Sequence, residues 1–202
     1  LLTLLFVMPS GCAMMKAIGY YAAPRTEKIA PEFNRLPGRS VLVYVWAPPE
    51  ILWDYPKFRL DIAAHVGAYL EQNVEEVDVL DPVRTEAFLE RASNPEQDPP
   101  EIGRRFQSEV VIHLAVYEFS VRDPGMSQFL RGRLGSSVTV YDLNPPDGMS
   151  ERVPLEDVEV VVPEEGPVGF MNAEPAQVRQ ATYDAFAVAV GRKFHEYERS
   201  LE

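Results

Sequence analysis

The segment from Glu109 to Val121 constrains the fold more than any other part of the chain. Val110, Ile112, Leu114 and Val116 fall on one alternating face, and Val111, His113, Ala115, Tyr117 and Phe119 on the other. A strand that is apolar on both faces belongs at the centre of a sheet covered by helices.

The flanking segments supply that sheet and its cover. Val41 to Trp46 is a β-branched and aromatic run bounded by Pro37-Gly38 and Pro48-Pro49, the pattern of a buried strand. A proline-bounded loop follows from Pro48 to Pro56. Phe58, Ile62, Val66, Tyr69 and Leu70 share one face of a helix predicted over Lys57 to Asn73. Val77 to Leu80 reads as a short strand stopped by Asp81-Pro82, and Val83 to Ala92 as a short helix. Asp98-Pro99-Pro100 has the form of an N-cap followed by proline in the first turn of a helix holding Ile102 and Phe106. Leu130 to Leu143 alternates like an antiparallel strand, Asn144 to Gly148 is a turn, and Val153 to Val162 is a further strand. The longest helix is predicted from Glu174 to Arg199. The expected fold is therefore α/β, a single domain with a mixed sheet in the order β-α-β-α-β-β-β-α and helices packed on the sheet.

The amino terminus carries a different signal. Leu1 to Met8 is uncharged and apolar, and Pro9-Ser10-Gly11-Cys12 follows. Eight residues cannot cross a hydrocarbon layer of about 30 Å, which takes roughly 20 residues of helix. The run does have the length of a signal-peptide apolar region followed by small residues. Ser10-Gly11-Cys12 resembles the end of a bacterial lipoprotein lipobox, with Pro9 where an aliphatic residue is usual. No basic region or initiator Met precedes Leu1, which suits a sequence that starts inside its leader. The expected division is a signal peptide over 1–11, a lipidated Cys12 and proline-rich tether over 12–39, and a globular domain over 40–202. The alternative is an N-terminal strand or helix that buries the thiol. Diacylglycerol on Cys12 would anchor the protein to a membrane without spanning it.

Charge and cysteine usage narrow the partners. With 31 acidic and 19 basic residues the formal net charge is −12, unsuited to a phosphate backbone, so no nucleic acid is expected. Cys12 is the sole cysteine, which excludes an internal disulfide framework and multi-cysteine metal sites. Neither H-E-x-x-H nor H-x-H spacing occurs, and dinucleotide and P-loop glycine motifs are missing, so no metal or cofactor is expected. His113 reads as a satisfied core histidine and His195 as part of a solvated helix end. No G-x-S-x-G elbow is present.

The acylated cysteine, the tether and this element order together resemble the envelope lipoproteins whose fold is shared by the amino-terminal domain of TolB, the curli-export lipoprotein and the penicillin-binding-protein activator lipoproteins. The strands at Val41–Trp46, Val77–Asp81 and Val110–Phe119 and the helix at Phe58–Asn73 would form that fold's opening β-α-β and central strand, within residues 40–199. The resemblance implies a bacterial envelope protein facing the periplasm, at the outer membrane in preference to the inner. Curli-export relatives build pores from long hairpins, and too few residues separate the strands here to supply them.

The expected function is a non-enzymatic binding or accessory protein for another envelope protein or peptidoglycan. Trp53, Tyr55 and Phe170, in stiff proline-bounded loops, are the candidate partner contacts. The alternative for Trp53 and Tyr55 is packing against the sheet edge. Competing functions are a subunit of an export or transport assembly, or a hydrolase with an unrecognised site.

Overall fold

The computed structural model describes residues 26–91, 98–123, 126–169 and 171–201. They fall into two compact units, residues 31–195 and a smaller unit made by the segments before 31 and after 195.

In the larger unit the doubly apolar segment is strand β4 (Val110–Asp123), the middle member of the path β3-β2-β4-β5-β6. β2 (Ser40–Trp46) runs parallel to it, from Val41 opposite Val110 to Trp46 opposite Ala115. β3 (Asp78–Val79) is parallel to β2 and forms one edge. On the other side β5 (Met126–Asp142) and β6 (Glu151–Val162) continue as an antiparallel meander, and β7 (Val168–Gly169) pairs with the start of β5. The sheet is mixed for a physical reason: parallel neighbours need crossover helices, whereas antiparallel neighbours can be joined by a turn.

The helices are α1 (Pro49–Asp54), α2 (Phe58–Asn73), α3 (Pro82–Leu89), α4 (Pro99–Phe106) and α5 (Pro175–Gly191). The alternation along β4 divides between two cores. Val110, Ile112, Leu114 and Val116 join Phe58, Ile62, Val66 and Leu70 of α2 and Phe186 and Val190 of α5. Val111 joins Leu42, Tyr44, Leu89 and Ile102 under α3 and α4. The predicted α/β class and the doubly covered central strand are thus found. At the foot of the sheet the fully buried Asp142 accepts a hydrogen bond from Arg39 (2.8 Å), with the Arg35 Nε at 3.6 Å.

Several boundaries differ from expectation. The Pro48–Pro56 segment is not all loop, because Pro49 at the first helical position is preorganised to start a turn and α1 forms. Asp81 caps α3 by accepting from the Val83 amide (2.9 Å), whereas the Asp98 side chain makes no cap bond to α4. Phe33 and Leu36, read as tether, are core residues.

The last helix stops at Gly191 instead of Arg199. A Cβ on Gly191 would run into the Tyr69 ring, so this glycine is what lets α5 and α2 approach closely. Beyond it the chain turns, and the Phe194 amide donates to the Gly191 carbonyl (2.9 Å) while the ring packs edge-on against Phe33. Phe194 and Tyr197 keep the helical spacing in sequence, which is why periodicity alone carries the helix through them. In the smaller unit, β8 (Tyr197–Ser200) forms an antiparallel ladder with β1 (Thr26–Ile29), from Ile29 opposite Tyr197 to Thr26 opposite Ser200. No described helix is long and apolar enough to cross a membrane.

Candidate functional site

The site is built around α1 and the turn that follows it. Pro48 and Pro49 fix the entry, and Ile51 is buried, which anchors one side of this six-residue helix. Trp53 projects from another side and is 77% exposed, an unusual state for the largest apolar side chain. The helix ends at Tyr55, whose amide donates to the Ile51 carbonyl (2.9 Å) and whose carbonyl accepts from the Phe58 amide (2.9 Å). Tyr55 is half-buried. Its ring meets Phe119 edge-on at 4.9 Å between centroids.

Beside Tyr55 a cleft of about 320 Å³ opens between this turn and the first half of α5. Asp54, Tyr55, Pro56, Lys57, Phe58, Asp61, Arg179 and Tyr183 line it. Arg179 and Tyr183 are one helical turn apart on α5, so both reach the same side. The Arg179 guanidinium carbon lies 5.8 Å from the centroid of the Tyr55 ring. Tyr183 is only 2% exposed, held by Phe58 (5.8 Å) and Phe119 (5.6 Å). Its hydroxyl has no hydrogen-bond partner among the described residues. Burial pushes its ionisation well above the ordinary range, Asp61 adds to the effect, and Arg179 opposes it. Tyr183 lines the cleft, while its hydroxyl itself is fully buried. Next to it, His65 donates through Nδ1 to the Asp61 carbonyl (2.6 Å), so Nε2 faces the Gln180 amide nitrogen as an acceptor.

No family model matches this sequence, and no curated protein does. Solved structures with a similar arrangement include a bacterial lipoprotein. That protein is lipoprotein GNA1162 of Neisseria meningitidis, 13% identical, TM-score 0.41, with 73% of this chain and 93% of that one covered. The PelC dodecamer of Paraburkholderia phytofirmans is 9% identical, TM-score 0.45, over 85% of this chain and 98% of that one. The hypothetical protein CT253 of Chlamydia trachomatis is 11% identical, TM-score 0.44, over 78% and 97%.

A second concavity lies on the opposite face of the sheet. A groove of about 570 Å³ between α3 and α4 is lined by Arg84, Ala87, Phe88, Arg91, Arg105 and Phe106. The Arg105 guanidinium stacks over Phe88 at 4.4 Å, and Phe88 meets Phe106 edge-on at 5.8 Å.

Of the residues singled out from sequence, Tyr55 lines the cleft and Trp53 stands exposed beside it, while Cys12 and Phe170 lie outside the described residues. His113 stacks on Tyr44 at 5.0 Å, and burial, with a smaller push from Arg152, lowers its pKa to about 4. His195 Nε2 is 3.3 Å from the Tyr69 hydroxyl. Among the described residues no cluster of His, Cys, Asp or Glu is arranged to hold a metal ion. Asp61, Arg179 and Tyr183 were missed at the sequence level. The i, i+4 spacing of Arg179 and Tyr183 was visible, but nothing local ties that pair to Asp61 across more than a hundred residues.

Proposed function

We propose that this protein is a lipid-anchored accessory protein of the bacterial envelope, acylated on Cys12, that docks another envelope protein or peptidoglycan and carries out no catalysis of its own. Its domain would then share the fold group of the TolB amino-terminal and penicillin-binding-protein activator lipoproteins and face the periplasm from the outer membrane. The observation that carries the docking role is Trp53. A tryptophan 77% exposed on a short, proline-started helix, with Tyr55 and a cleft beside it, offers contact area already fixed in place. Rigid aromatic anchors of this kind contribute most of the energy at protein interfaces. Acylation supports the role by holding the domain where such partners are concentrated.

Two measurements test the proposal. Cells fed a radiolabelled fatty acid should label the wild-type protein and leave a Cys12→Ser variant unlabelled. A photo-crosslinker placed at Asp54 should give a discrete adduct in membranes, and Trp53→Ala should weaken that partner's affinity by roughly 30-fold, the scale of one interface hot spot. An unlabelled wild type removes the anchor, and an unchanged affinity in Trp53→Ala removes the docking role.

A further inference from the structure

We propose that the exposed face of α1 docks into the arginine-lined groove of a second copy of this chain, with the Trp53 indole against Phe88 and Phe106 and the Glu50 and Asp54 carboxylates on the arginines. The proposal deepens the docking role of Trp53 and rests on it, since it names the partner that Trp53 meets.

One half of the contact is a small, fixed knob. Glu50, Trp53 and Asp54 are three and four residues apart, so they share the side of α1 away from the buried Ile51, and all three are exposed. Neither carboxylate belongs to an ion pair among the described residues. Met149 is as exposed, at 79%, but Glu151, two residues on, is already paired with Arg35 at 2.6 Å. Trp53 is thus an apolar knob with unspent negative charge beside it.

The other half is its complement. The charged residues lining the groove between α3 and α4 are Arg84, Arg91 and Arg105, in a chain whose net charge is −12. Glu86 of α3 is closed on Arg59 at 2.6 Å and is not part of the lining, so it does not offset them. Ala87, Phe88 and Phe106 supply the apolar part, and Arg105 already lies over the Phe88 ring at 4.4 Å, so charge and aromatic surface are presented together. A guanidinium pairs with carboxylates through two N–H bonds and is drawn to an indole face more than to any other ring. A purely acidic guest leaves the rings unused, and a purely apolar one buries arginines without partners, at a cost. The volume, about 570 Å³, is within the range of roughly 300 to 1,000 Å³ that side chains and small ligands fill.

Knob and groove are different surfaces, so the contact is head-to-tail and joins copies in a ring or a row. A tryptophan buries about 150–250 Å², far less than the roughly 1,600 Å² of a standard interface. The contact is therefore weak in dilute solution and fills where anchored copies share one membrane, at effective concentrations on the order of millimolar.

The test places two differently tagged copies of the full chain in one membrane. The first carries a photo-crosslinker at Val83, which is 57% exposed and one turn before Ala87 of the groove, together with Trp53→Ala so that it offers only its groove. The second is wild type and offers its knob. Illumination should give a mixed adduct whose crosslinked peptide contains Trp53. Trp53→Ala in the second copy should lower the yield at least about fivefold, the scale of a lost interface hot spot, and leaves the fold of the first copy untouched. Arg84→Glu with Arg91→Glu in the first copy should do the same, and Glu50→Lys with Asp54→Lys in the second should then restore the adduct. No mixed adduct, an adduct that maps away from α1, or a yield indifferent to Trp53→Ala overturns the proposal. The two roles fail separately: a crosslinker at Asp54 that captures a different protein, with no second copy captured from Val83, removes the self-contact and leaves the docking role, whereas capture of nothing from either position removes both.

Discussion

On one face of the central sheet, α2 and α5, of 16 and 17 residues, bury Phe58, Ile62, Val66, Leu70, Phe186 and Val190 to near zero exposure. On the other, α3 and α4, of eight residues each, cover only Leu42, Tyr44, Leu89, Ile102 and Val111. Helix length decides the difference. Four or more turns can carry a continuous apolar stripe along the strands, whereas two turns seal a patch and leave a groove beside it. The concavities differ accordingly. On the long-helix face a cleft lined by acids and bases opens beside Tyr55, while the short-helix face has an arginine-lined groove. Stability should therefore reside mainly on the first face. Phe58→Ala should cost about 3–5 kcal/mol, as expected for a phenylalanine removed from a closed core. Phe88→Ala, at a half-buried ring on the second face, should cost about 1–2 kcal/mol. Urea midpoints at constant slope measure both, and equal losses would break the comparison.

The second face nevertheless carries a pronounced pH dependence below neutrality. His113 lies between Tyr44 and Tyr141, and burial lowers its pKa from 6.5 to about 4. The folded state keeps the ring neutral while the unfolded chain takes up a proton below about pH 6.5, so the unfolded state binds more protons in this window. Stability should fall as the pH drops from 6.5 towards 4 and lose no more from this group below that. The full loss is about 3 kcal/mol, at about 1.36 kcal/mol for each pH decade between the folded and unfolded values. His113→Phe preserves the stack on Tyr44 and should flatten this part of the profile. Denaturation of both proteins between pH 7 and 4 measures the difference, and parallel curves would show that the histidine is not the cause.

These two effects also show how far the sequence could be read. β4 was legible because apolar residues at both i and i+1 positions admit one environment, and the assignment of Ile112 and Val111 to opposite cores follows from a two-residue period. α2 was legible because Phe58, Ile62, Val66 and Leu70 keep helical spacing without interruption. The end of α5 was not, since Gly191 acts through its approach to Tyr69, a residue more than a hundred positions away. β1 and β8 were missed because their ladder is made of backbone bonds between exposed segments with no apolar face to mark them. Tyr55 could be chosen from its proline-bounded surroundings, but Asp61 and Arg179, which share its cleft, come from α2 and α5 and converge only in the fold.

Within the well-packed face, Tyr183 should behave opposite to Phe58. Removing an unpartnered buried hydroxyl deletes a desolvation cost and leaves the ring contacts with Phe58 and Phe119 in place. Tyr183→Phe should raise stability by about 1–2 kcal/mol in ligand-free protein. A gain would mark the hydroxyl as a desolvated group that the empty protein does not use for packing. A loss would mean that the hydroxyl stabilises the empty protein.

The smallest effect belongs to the groove. Arg105 stacks over Phe88, and neither Arg84, Arg91 nor Arg105 takes part in an ion pair among the described residues. An exposed cation–π contact contributes about 0.5–1 kcal/mol, and Arg105 also lies in the last turn of α4, where a positive charge complements the helix dipole. Arg105→Gln should therefore cost about 1 kcal/mol at low salt, while Arg84→Gln, with no stacked ring, should stay within about 0.5 kcal/mol of wild type. The two contributions at Arg105 separate with ionic strength, because salt screens an exposed charge from the dipole but leaves the packing of the guanidinium on the ring largely intact. A cost that disappears at about 1 M salt assigns Arg105 to the helix end; a cost that persists assigns it to Phe88, making that stack part of what holds the short-helix face together.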